Sequence, residues 1–136
     1  MFKMPFFKHL DIIKWFTQEE GRERAIRIRE QFLMGEVYII IPDLILYEIA
    51  NALRFNPYFT SQDIQNAIES IYNSGVDIVA PLSTTLKRSV ETALTKDITI
   101  YDSFYVTLAE EIGAKFVTAD KKLHTKTKEM GFVRLL

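Results

Sequence analysis

Four carboxylates stand in segments that are otherwise apolar or well patterned: Glu48, Asp102, Asp120 and, near the start, Asp11. Glu48 interrupts Leu44-Ile45-Leu46-Tyr47-Glu48-Ile49-Ala50, a run whose other residues read as buried. Asp102 and Asp120 each mark a junction where one apolar element ends and another begins. A carboxylate inside an apolar helix is costly unless it is paired, protonated or bound to a metal. Clustered carboxylates repel one another until a cation intervenes, so a shared acidic site is a site for a divalent ion. The chain has no cysteine, and its two histidines, His9 and His124, fall in no zinc-binding spacing. The donor set is therefore all oxygen, which suits Mg²⁺ or Mn²⁺. Such an ion binds phosphate oxygen, lowers the pKa of a bound water and neutralises charge in the transition state.

Each acid has a simpler reading as well. Glu48 could face solvent or pair with Arg54, while Asp102 and Asp120 could cap the helices that follow them. Capping and metal binding are compatible, because a helix N-terminus favours an ionised carboxylate.

These acids need a frame, and the hydrophobic pattern supplies one. Ile12 to Phe16 closes an apolar opening segment, and Gln18 to Gly21 turns into a helix with Ala25, Ile28 and Phe32 on one face. Gly35 ends it, and Val37 to Ile41 reads as a strand buried on both sides. Asp43 then caps a helix reaching Arg54, and Thr60-Ser61-Gln62-Asp63 opens another, to Asn73, with a capping box. Val76 to Ala80 is a second strand, Ser83 to Lys96 a helix, and Ile98-Thr99-Ile100 a short extended piece. Ser103 to Ile112 is helical up to Gly113, Ala114 to Thr118 a strand, Asp120 to Met130 the last helix, and Phe132 to Leu136 the last strand. Alternating strands and helices with fully apolar strands predict an α/β three-layer sandwich with a mostly parallel central sheet flanked by helices. Ligands of such sheets bind beyond the carboxyl ends of the strands, which is where Asp102 and Asp120 fall.

At 136 residues one domain, 1–136, accounts for the whole length, with no repeat or linker to divide it. The hydrophobic fraction of 48% and charged fraction of 26% are those of a soluble globular protein, and a cytoplasmic location is the simplest expectation. No apolar run is long enough to span a bilayer. A net charge of −1 does not advertise nucleic-acid binding, but the charge is unevenly placed. Arg22, Arg24, Arg27 and Arg29 form one basic group, and six Lys/Arg against two acids fill residues 114–136. Either group also reads as a solvated helix face.

The motifs together are more specific than the parts. Ile41-Pro42-Asp43-Leu44 followed by Tyr47-Glu48-Ile49-Ala50-Asn51-Ala52-Leu53 resembles the second acidic motif of PIN-domain ribonucleases. Ile100-Tyr101-Asp102-Ser103-Phe104-Tyr105 resembles their third, and Phe116-Val117-Thr118-Ala119-Asp120-Lys121-Lys122-Leu123 their fourth. The nearest likeness is to the VapC-type toxins of toxin–antitoxin pairs. That resemblance implies a PIN-like fold and an endoribonuclease dependent on Mg²⁺ or Mn²⁺, homodimeric and silenced by a cognate antitoxin. Glu48, Asp102 and Asp120 would then hold the metal, with Asp11 as the fourth ligand. Asn51 and Thr118 would support them, and Lys121, Lys122 and the arginine group would meet RNA phosphates. Cleavage would leave a 5′-phosphate and a 3′-hydroxyl. The first motif departs from the family: an ungapped alignment on Lys14-Trp15-Phe16 puts Lys8 at the acid position, and Asp11 fills it only if three residues are missing. The alternative is accordingly a PIN-like domain with a degenerate first motif, which binds RNA or antitoxin without cutting.

Overall fold

The computed structural model describes the backbone of residues 5–7 and the whole of residues 12–136. Five short strands carry the frame: β1 (Pro5–Phe7), β2 (Ile40–Pro42), β3 (Asp77–Val79), β4 (Lys115–Thr118) and β5 (Val133–Leu135). They form a sheet of order β3-β2-β1-β4-β5 in which every pairing is parallel. Parallel neighbours need crossover helices, and among the described residues six supply them: α1 (Arg22–Leu33), α2 (Leu44–Arg54), α3 (Ser61–Asn73), α4 (Ser83–Lys96), α5 (Ile100–Ile112) and α6 (Lys121–Thr127). The chain winds from β1 to β3 in one direction and from β3 back to β5 in the other. Right-handed crossovers therefore put α1 to α3 on one face and α4 to α6 on the other. The three layers predicted from the sequence follow, with a wholly parallel sheet.

Ile39, Ile41, Ile45, Ile49, Leu53, Val106 and Phe116 fill the core, each almost inaccessible to solvent. Trp15 seals the entry to α1, its indole N–H donating to the Ala25 carbonyl at 3.1 Å. The helix boundaries at Arg54, Asn73, Ser83, Lys96 and Ile112 fall where the sequence places them. The capping box of α3 is present: the Thr60 hydroxyl accepts from the Asp63 N–H, and the Asp63 carboxylate accepts from the Thr60 N–H. That backbone N–H holds the Asp63 carboxyl below its ordinary range, so the box weakens only as pH falls below the usual Asp value.

Three expectations are corrected. Asp43 makes no side-chain cap for α2; it sits in helical backbone geometry, and its N–H donates to the Val79 carbonyl. Ile98-Thr99-Ile100 is not a strand, because Thr99 caps α5 and Ile100 is already helical. Thr99 keeps the extended backbone its β-branched side chain favours, as an N-cap does, and the helix takes over from Ile100. Finally, Tyr47 is 76% exposed, so the run around Glu48 is a one-sided helix rather than a buried one. No helix among the described residues is long and apolar enough to cross a membrane.

Candidate active site

The carboxyl edge of the sheet collects the acids. β4 ends at Thr118, which is fully buried and whose hydroxyl accepts the Asp120 backbone N–H at 3.1 Å. That bond helps turn the chain out of the strand, and Asp120 then caps α6 by accepting the Leu123 N–H at 3.0 Å. Asp102 lies in the first turn of α5, where its own N–H donates to the Thr99 hydroxyl at 3.0 Å. Thr99 thus takes the capping role that Asp102 could have filled. The pattern Thr99-x-x-Asp102 was a readable signal for this cap.

Asp102 and Asp120 line one cleft of about 370 Å³, with Asp97, Thr99, Lys122 and Lys126 around them. Lys126 closes part of its rim by donating to the Asp97 carbonyl at 2.7 Å. Asp97 adopts left-handed backbone geometry there, φ 55°, to end α4. Glu48 is not among the residues that line this cleft. It is half-buried on α2, and its Oε1 accepts a hydrogen bond from the Tyr105 hydroxyl at 3.2 Å. Tyr105 is itself inaccessible and stacks on Phe116, ring centroids 5.8 Å apart. Because Tyr105 follows Asp102 by three residues, it shares a helix face with it. Tyr105 therefore ties Glu48 to the helix that presents Asp102, across the layers of the sandwich. In the sequence Tyr105 falls on an apolar stripe with Leu108, Ala109 and Ile112, which does not announce its hydroxyl.

Among the described residues no three acids or histidines stand close enough to form a metal cluster. The expected set is thus resolved into one convergent pair, Asp102 and Asp120, with Glu48 anchored nearby. Asp11 and Lys8, the two occupants considered for the first motif, lie outside the described residues. Asn51, expected to support the acids, is exposed on α2, three residues after the half-buried Glu48. Lys121 and Lys122 are both exposed but border different clefts, Lys122 that of the acids and Lys121 a second one.

The PIN domain family model matches residues 12–129. The chain belongs to the PIN-domain family. A relative, Ribonuclease VapC3 of Pyrobaculum aerophilum, is 31% identical over 115 residues, covering 82% of this chain and 85% of its own, and places this PIN domain with the VapC-type proteins. Two solved structures share the fold. PAE2754 from Pyrobaculum aerophilum superposes with a TM-score of 0.67 at 21% identity, covering 94% of this chain and 89% of its own. Mycobacterium tuberculosis VapC20, described as a toxin that cleaves the sarcin–ricin loop, superposes with a TM-score of 0.71 at 13% identity, covering 95% and 96%. The α/β PIN-like fold expected from the sequence is the one observed.

The link between Tyr105 and Glu48 in this PIN domain yields a specific prediction. Tyr105→Phe keeps the stack on Phe116 and deletes one hydrogen bond, so stability should fall by about 1 kcal/mol. If Glu48 serves the reaction, RNA cleavage should fall roughly 10- to 100-fold, the usual cost of losing a group that orients a metal-binding carboxylate. Rates and melting curves of the two proteins side by side check both halves.

Proposed function

We propose that this one-domain VapC-type protein is a divalent-metal-dependent endoribonuclease that hydrolyses RNA phosphodiesters. The observation that carries the reading is the convergence of Asp102 and Asp120, from separate elements, on one cleft rimmed by Lys122 and Lys126. The donors fit a hard cation, since Mg²⁺ is commonly held by one or two carboxylates with water and phosphate completing the shell. Asp102 and Asp120 would hold the ion, with Glu48, and Asp11 if it fills the first motif, completing the acidic set. Bound there, Mg²⁺ or Mn²⁺ supplies Lewis acidity toward the phosphate and a more acidic water.

The chain's own residues set the geometry. The Thr118 hydroxyl and the α6 cap fix Asp120, and the Thr99 cap fixes the turn that carries Asp102. Tyr105 donates to one oxygen of Glu48 and so helps orient that carboxylate. Lys122 and Lys126 draw a phosphate toward a cleft that two carboxylates would otherwise make repulsive.

A cognate antitoxin and a second copy of this chain are the proposed partners. On the neighbouring helices Ile71 is in the core and Leu44, Leu46 and Ile68 are half-buried, whereas Tyr47 and Tyr72 are exposed. Tyr47 lies beside an apolar groove with Leu86, Ile100 and Tyr101, and this α2–α4–α5 surface suits self-association.

The second reading is a domain with a degenerate first motif that binds RNA or antitoxin without cutting. Thermal unfolding with and without Mn²⁺ separates the two. A metal enzyme should gain up to about 2.7 kcal/mol when Mn²⁺ exceeds its dissociation constant a hundredfold. An unchanged melting curve across the whole Mn²⁺ titration would favour the binding-only domain.

A further inference from the structure

Asp102 and Asp120 reach their cleft on separate helices, and two lysines fasten those helices to one another. Asp97 ends α4 in left-handed geometry, and only Ile98 and Thr99 separate it from α5, whose first turn carries Asp102. Carbonyls at such a helix end have no intrahelical partner. Lys126 supplies one from α6, the helix that Asp120 caps, by donating its ammonium to the Asp97 carbonyl at 2.7 Å. The Asp97 carboxylate is farther off, at 3.5 Å, and 99% exposed, so the carbonyl is the partner that counts. Lys96 makes the converse link, pairing with Glu129 in the 3₁₀ turn Lys128–Met130 that follows α6. One lysine thus reaches from α6 to the end of α4, and the other from the end of α4 to the turn beyond α6. Lys126 also lines the acidic cleft. Lys122 lines it too, but its ammonium makes no hydrogen bond or ion pair among the described residues. Two ionised carboxylates on one cleft repel each other, and a cross-link between their helices that ends on a main-chain carbonyl opposes that repulsion.

We propose that Lys126 is a positioning residue: it ties the α4–α5 turn to α6 and so holds Asp102 and Asp120 in the arrangement that takes a divalent cation, with Lys96 as the outer half of the same fastening. The inference rests on the metal-enzyme reading. It gives Lys126 a task distinct from attracting phosphate, and the two tasks have opposite signs for metal binding. A lysine acting through charge alone repels the cation, so its removal tightens the site. A lysine that orients the ligands does the reverse, and its removal weakens the site by the 10- to 100-fold usual for an outer supporting group.

The test is Mn²⁺ affinity without RNA, read from the electron paramagnetic resonance of free Mn²⁺, for proteins that each lack one lysine charge. Lys126→Met keeps the aliphatic stem and deletes the donor, and should weaken Mn²⁺ binding at least about tenfold. Lys126→Arg retains charge and donors, and should recover most of that loss. Lys96→Met, which breaks the pair with Glu129 and does not line the cleft, should weaken binding about twofold, the modest effect of an exposed pair. Lys122→Met should bind Mn²⁺ as well as the wild-type protein or more tightly. Equal or tighter binding by Lys126→Met, matching Lys122→Met, would overturn the fastening and leave the metal site in place. If melting curves show Lys126→Met unfolded, Lys96→Met decides alone, and an affinity at or above that of the wild type overturns the proposal. Wild-type protein that binds no Mn²⁺ would remove the metal-enzyme reading together with this one.

Discussion

Asp102→Asn is expected to lower metal-dependent RNA cleavage by more than about 100-fold, beyond the cost of losing an outer supporting group. The substitution is nearly isosteric and removes only the charge and one acceptor. The α5 cap should persist, because it uses the Asp102 backbone N–H and the Thr99 hydroxyl, both of which survive. Asp120 offers a companion comparison. Asn is as good an N-cap as Asp, so Asp120→Asn should keep α6 while losing activity, whereas Asp120→Ala should also lose about 1 kcal/mol. Activity lost equally in both Asn variants, with melting temperatures intact, separates chemistry from folding. Cleavage by Asp102→Asn at the wild-type rate would show that this acid has no role in the reaction.

Phe116→Ala should be the most damaging substitution for the fold, at about 3–5 kcal/mol. Phe116 is inaccessible at the centre of β4, pairs in register with Phe6 and Val133, and stacks on Tyr105. Truncation leaves a cavity beneath Tyr105 and frees the ring whose hydroxyl holds Glu48. Against a typical stability of about 5–15 kcal/mol, that loss is large. Denaturant unfolding measures it directly, and a cost below about 1 kcal/mol would show that the neighbouring layers collapse to fill the space. Phe116→Leu, which retains most of the volume, should recover much of the difference.

Much of this arrangement was legible in the sequence because it rests on periodicity and capping. Apolar runs bounded by Gly35, Gly75 and Gly113 located the strands, and the alternation of strand and helix implied the parallel sheet. The acids at Asp102 and Asp120 were legible because junctions of a parallel sheet face its ligand edge. What escaped was long-range or subtle. Nothing in Tyr105 as a stripe residue foretold a hydroxyl reaching a carboxylate 57 positions earlier. Asn51 follows Glu48 by three residues, yet helix rotation still turned it to solvent. The second cleft draws Lys14 and the α1 arginines together with Lys121 from the far end of the chain, a meeting that only the sheet order brings about.

The most direct test of the central claim is cleavage of a mixed, end-labelled RNA panel by the wild-type protein, with Mn²⁺ and with EDTA. Cutting is expected with Mn²⁺, none with EDTA, and none from Asp102→Asn in either. RNA bound but left whole at every Mn²⁺ concentration would contradict it, and would make this PIN domain a binding module.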